Sequence, residues 1–265
     1  RVAMIIDAAL LLGWTLGGGL ELLDQAWRAA GFGELVTGTA FLLSVFLVIG
    51  LLDLPVALYQ TFVIEARFGF NRTTPALFLA DLLKQTVLLL ALGIPLALAA
   101  LWLMQQAGER WWFYLWLLWS GFSLLMIWAY PSVIAPLFNR FTPLRNRTLL
   151  RRIERLLRRT GFHNRGVFVM DGSRRSAHGN AYFTGFGRSK RIVFFDTLID
   201  KLEPAEVEAV LAHELGHYAR RHILKRIAFL AALSLGLLWL LGQIIDQAWF
   251  YAGLQVGPGS TAMAL

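Results

Sequence analysis

Residues 207–226 read VEAVLAHELGHYARRHILKR, and His213, Glu214, Leu215, Gly216 and His217 within them form an HExxH pattern. On a helix, residues four apart share one face, about one turn apart. Two imidazoles so placed can both reach one Zn²⁺, and the intervening Glu can act as general base on a zinc-bound water. The flanks suit a helix buried beneath such a site: Val210, Leu211, Ala212, Tyr218 and Ala219 are uncharged. Pro204 fits a first helical turn, and Glu203, Glu206 and Glu208 fit its positive end. An ordinary amphipathic helix with two histidines on its polar face satisfies the same five letters. The rest of the chain has to decide between the two.

Composition bounds the answer. Of the 265 residues, 57% are hydrophobic and ten are Trp, too apolar for an ordinary soluble domain. Apolar stretches cover residues 2–20, 35–64, 76–104, 111–138 and 227–256, each able to reach the ~20 residues that cross a bilayer. Residues 139–226 hold 19 Lys and Arg against 8 Asp and Glu, whereas the remainder holds 6 against 9. A basic total often signals nucleic acid. Here the basic block lies between membrane spans, so the positive-inside rule explains it and no nucleic-acid partner is expected. The expected organisation is an N-terminal membrane domain of four helices (1–138), a cytosolic metallopeptidase domain (139–226), and a fifth span with its following loop (227–265). The fold class is mainly α and integral to the membrane: a multi-span helical bundle with an inserted zincin-like α+β domain.

Without cysteine, any zinc must be held by nitrogen and oxygen. Residues 149–159 read as a basic amphipathic helix, 166–170 as a strand, and 181–186 with 191–195 as a hairpin. A strand edge beside a zinc helix can hold a peptide extended by backbone pairing. Asp7, Asp53, Asp81, Lys84 and Asp246 fall in or near apolar stretches, and such groups usually face a bundle interior or an aqueous cavity.

The chain resembles the CAAX prenyl protease type 1 family of integral-membrane zinc metalloproteases, and more distantly the HtpX-like membrane proteases. The resemblance rests on four segments in order: LPVALYQTFVIEARFGFNRTTPALFLADLLK (54–84), APLFNRFTPL (135–144), MDGSRRSAHGNAYFTGFGRSKRIVFFDTL (170–198) and the helix at 207–226. It implies a zinc peptidase opening into an intramembrane chamber. His213 and His217 would ligate Zn²⁺, and Glu214 would activate the attacking water and pass its proton to the leaving amine. Asn180, Ala181 and Tyr182 fall in the stretch that lies beside the substrate backbone in the family. Asn180 has two readings, a hydrogen bond to that backbone or a turn at a strand start. His178 is read as orienting substrate or capping a loop, and less readily as approaching the metal. The family draws a third ligand, a Glu, from beyond HExxH, with a His and an Arg further on. After His217 the only carboxylate is Asp246; if 223–246 is one helix, it rises about 35 Å at ~1.5 Å per residue, which puts Asp246 near the opposite membrane face, a poor ligand. The third ligand is therefore expected beyond Leu265, and TAMAL at 261–265 reads as the start of a sixth span.

The resulting expectation is a zinc-dependent membrane endopeptidase whose partners are the lipid bilayer and a peptide or protein substrate, prenylated or hydrophobic. The alternative is a catalytically inactive membrane scaffold or binding protein of the same fold. A transporter leaves the hairpin and the HELGH helix unexplained. Arginine far outnumbers lysine, which suggests a bacterium and hence a multi-pass protein of the bacterial inner membrane.

Overall fold

The computed structural model describes residues 2–162, 166–184, 191–219, 222–253 and 262, with the side chains of these except residues 2–7, 217–219, 222 and 223. In chain order the elements are α1 (Val2–Thr15), α2 (Gly19–Ala29), α3 (Glu34–Tyr59), α4 (Pro75–Gln106), α5 (Trp111–Ala129), α6 (Ala135–Phe138), β1 (Phe141–Pro143), α7 (Arg147–Thr160), β2 (Val167–Met170), β3 (Ala181–Thr184), β4 (Arg191–Phe195), α8 (Asp196–Lys201), α9 (Pro204–Ala219), α10 (His222–Ile244) and α11 (Ala248–Gly253).

Among the described residues, four helical runs are long and apolar enough to cross a membrane: Glu34–Glu65, Pro75–Gln106, Gly108–Phe138 and Leu224–Ile244. The first apolar stretch does not continue as one helix to residue 20. It breaks after Thr15, where Gly18 takes a left-handed φ of 74° and a Cβ on Gly17 would lie 2.6 Å from the Gly13 carbonyl oxygen. Only glycine accepts both constraints cheaply. The last stretch also ends early, at Ile244, where Gln247 N–H caps the Ile244 carbonyl in a turn beside Asp246.

The chain forms two compact units. One comprises Arg1–Tyr59, Leu82–Ser120 and Ala231–Leu265; the other comprises Gln60–Asp81 and Gly121–Leu230. The first unit packs apolar helices where small residues let backbones approach. A Cβ on Gly93 of α4 would lie 2.9 Å from Leu43 of α3, and one on Gly242 of α10 would lie 2.8 Å from Trp112 of α5. Two indole donors are satisfied across helices: Trp27 Nε1 donates to Ser44 Oγ at 3.0 Å, and Trp116 Nε1 to the Ala231 carbonyl at 2.9 Å. In an apolar environment an unpaired donor would be costly.

The second unit holds the sheet, in the order β1-β2-β4-β3. β1 pairs antiparallel with β2, β2 parallel with β4, and β3 antiparallel with β4. The anticipated strand and hairpin partners are thus present, whereas β1 and the parallel β2–β4 ladder had no sequence signal. Residues 185–190, between β3 and β4, lie outside the described residues. Strand alternation sends Val167, Val169, Ala181, Phe183, Ile192 and Phe194 to one face, and these pack with the cores of α7 and α9.

Helix α7 shows how local sequence sets this core. Asn146 Oδ1 accepts from the N–H groups of Thr148 and Leu149, both at 3.1 Å, and Gly161 closes the helix at φ 66°. An Asn cap and a left-handed Gly satisfy the terminal donors and acceptors. Between them Leu149, Ile153 and Leu157 recur every four residues and are buried, while Arg147, Arg151, Arg155 and Arg159 are exposed. Replacing Ile153, which is 0% exposed, by Ala is expected to destabilise the sheet unit by about 2–5 kcal/mol. Arg155→Ala on the outer face should stay within about 0.5 kcal/mol. Thermal unfolding of the two variants in detergent checks the contrast.

Candidate active site

Helix α9 starts at Pro204, whose missing N–H costs nothing in a first turn. Glu206 reaches back to accept the Glu203 N–H at 2.8 Å, closing the start of the helix. Val207, Leu211 and Leu215 form its core stripe, with exposures of 0%, 1% and 5%. His213 is exposed, and Glu214 is half-buried on the flank of the stripe. At ~100° per residue, His213 lies about 200° round the helix from Leu211. His217 is in the same helix one turn on; its side chain lies outside the described residues. Backbone geometry puts the two histidines on one face, a fit to two adjacent ligands of a tetrahedral metal. Among the described residues no three His, Asp or Glu side chains come together as a metal-holding group.

Helix α9 packs on β3, and β3 is the terminal strand of the sheet. Its far side pairs with no strand among the described residues. Asn180 frames the strand start: its carbonyl accepts from Phe195 N–H at 2.9 Å, and its Oδ1 accepts from Ala181 N–H at 2.8 Å. The second contact ties the Asn180 side chain to the first residue of β3. Pairing alternates along an antiparallel strand. Since Asn180 bonds toward β4, so do Tyr182 and Thr184, and the open edge belongs to the backbone groups of Ala181 and Phe183. Ala181 already gives its N–H to Asn180, so its carbonyl and both backbone groups of Phe183 are what the edge offers.

The Tyr182 ring stands on the sheet face away from α9, T-shaped against Phe195 at 6.3 Å with its hydroxyl 3.8 Å from Met170 Sδ. There it lines a cleft of about 460 Å³ with Pro131, Pro136, Phe168, Arg191 and Val193. Burial, with a smaller effect from the Tyr130 phenol, pushes the Tyr182 phenol up to about 12, so it is neutral at physiological pH. His178 is exposed, with its ring stacked on Phe70 at 4.1 Å and 20° and its carbonyl accepting from Thr197 Oγ1 at 2.7 Å. Sequence reading missed Phe183; the alternation of β3 was visible, but the hydrogen-bonding parity was not.

Two family models match the chain. The one described as CAAX prenyl protease N-terminal, five membrane helices, matches residues 1–140, and the one described as Peptidase family M48 matches residues 143–256. The CAAX prenyl protease 1 homolog of Oryza sativa subsp. japonica is 42% identical over 226 residues, covering 83% of this chain and 53% of the relative. CAAX prenyl protease 1 of Saccharomyces cerevisiae is 41% identical over 180 residues, covering 68% and 40% respectively. The crystal structure of S. mikatae Ste24p superposes with a TM-score of 0.88 at 33% identity, over 94% of this chain and 59% of that one. The chain thus spans about half the length of the curated relatives it matches. Its four apolar runs and the five-helix membrane model make it a multi-pass integral membrane protein, mainly α with an inserted α+β portion. Both matched models, in sequence and in order, establish that the chain belongs to the CAAX prenyl protease family of M48 peptidases.

Proposed function

We propose that the protein is a zinc-dependent membrane endopeptidase acting on CAAX-type or hydrophobic protein substrates. The observation that carries this reading is the packing of the HExxH helix α9 on β3, a strand with an open edge. The relatives named above are called CAAX prenyl proteases, which favours a CAAX-type substrate. The bacterial inner membrane rests on the arginine bias alone, since these relatives are eukaryotic. The charge asymmetry supports a membrane domain at 1–138, a cytosolic peptidase domain at 139–226 and a further span within 227–265.

In this reading the substrate lies extended along β3. The Ala181 carbonyl and the Phe183 N–H and carbonyl pair with its backbone and fix its register beside α9. His213 and His217 would hold Zn²⁺, which when bound would supply a Lewis acid to polarise the scissile carbonyl and acidify water. Glu214 takes the proton of the attacking water and delivers it to the leaving amine nitrogen. Its half-buried setting on the flank of the α9 stripe leaves the carboxylate reachable.

Glu214→Gln in the full-length protein should lower kcat by at least about 10²-fold while elemental analysis still finds zinc, and His213→Ala should lose the zinc. Full turnover in Glu214→Gln would overturn the mechanism. Wild-type protein that binds a CAAX peptide without cleaving it would favour the inactive scaffold. A second measurement tests the strand. In a set of substrates each carrying one backbone N-methyl group, cleavage should fall at alternate positions, because only every second N–H of an extended peptide faces β3. A flat profile across the set would exclude edge pairing.

A further inference from the structure

The loop that leads into β3 is held by one guanidinium. Arg175 Nε and Nη2 grip both carboxylate oxygens of Asp81 at 2.7 and 2.9 Å. Nη1 donates to Asn139 Oδ1 at 2.9 Å, and Nη2 also donates to the Phe138 carbonyl at 2.8 Å. Asp81 is only 9% exposed and stands near the start of α4, inside an apolar run. A buried carboxylate there requires a paired, hydrogen-bonded partner. The planar fork of Arg meets that need in a way the ammonium of Lys does not.

The Arg175 backbone is fixed as well. Its carbonyl accepts from Arg72 N–H and Thr73 Oγ1, both at 3.0 Å. Ala177 N–H donates to the Phe70 carbonyl at 2.9 Å, and Asn71 and Ser176 form an isolated antiparallel bridge. Lys201 Nζ donates to the Ala177 carbonyl at 2.6 Å. Next along the chain His178 stacks on Phe70, and then Asn180 and Ala181 open β3. The start of α4, the end of α6 and the 70–73 segment therefore all converge on the residue that launches the open strand.

We infer that the Arg175–Asp81 pair is a positioning device for the substrate-pairing strand, setting where the β3 edge stands relative to α9. The inference rests on the peptidase reading above. Neither side chain touches the reacting atoms; both act through the 175–181 segment. A displacement of β3 by about 1 Å is enough to lower turnover ~10²-fold and to let neighbouring peptide bonds present themselves.

The test uses the full-length protein, a CAAX peptide, and the variants Arg175→Gln, Asp81→Asn and the double mutant. Each single variant should lose kcat/KM about 10²-fold with its zinc content unchanged. The double mutant should be little worse than either, because the two residues act as one unit. Mass spectrometry of the products should show cleavage spread to bonds beside the wild-type site, a change that lost stability alone does not cause. If Arg175→Gln does not fold, Arg175→Lys, which keeps the charge and loses the fork, carries the same expectation. Wild-type kcat/KM with a single product in the Arg175 variant, or fully additive losses in the double mutant, would overturn the inference. An active wild type with indifferent variants defeats this inference alone, whereas a wild type that cleaves nothing defeats the peptidase reading itself.

Discussion

The 3.6-residue period of α9 is the constraint on which the rest depends. One stripe, Val207, Leu211 and Leu215, has to bury itself against the sheet and α7. The opposite side has to keep His213 exposed, and Glu214 has to sit between the two. Sixteen residues meet both demands only because apolar and chemical positions interleave on different faces. The packing of Leu149, Ile153 and Leu157 from α7 therefore sets the rotation of α9, and with it the exposed place of His213, as well as stability.

The sheet contributes its edge. A free strand edge is a liability in most proteins, since unpaired backbone groups recruit other chains. Here β3 is short, at four residues, and its start is blunted by the Asn180 side chain on the Ala181 N–H. What remains open is a small number of backbone groups next to α9. The same strand turns Tyr182 outward into a cleft on the other face, so neighbouring residues of one strand serve surfaces on opposite sides of the sheet.

The apolar helices follow a different logic. In lipid there is little hydrophobic gain from burying Leu against Leu, so close approach at glycines and satisfied indoles does the joining. Gly93 and Gly242 with their tight neighbours, and Trp27 and Trp116 with their acceptors, are of this kind. Asp81 is the exception, a buried carboxylate within an apolar run. Its sequence reading as a group needing an interior partner is met by Arg175, 94 residues away. Asp53, Lys84 and Asp246 are exposed in this chain.

Much of the fold was legible in the sequence because its signals are local. Apolar runs mark the spans, the amphipathic basic repeat of 149–159 marks α7, and HExxH places two histidines on one face. At Gly17–Gly19 glycine turns the chain while keeping the apolar average high, a bend that hydropathy, blind to backbone conformation, does not register. Which strand forms the edge, which backbone groups of β3 point outward, and which cation meets Asp81 were decided only by the tertiary structure. These are pairings between segments distant in the chain, and no local period encodes the partner. The sequence by itself determined a membrane protein with a metallopeptidase-type helix; the folded chain decided the edge beside that helix and the guanidinium that holds it, because register and ion pairing exist only once those segments meet.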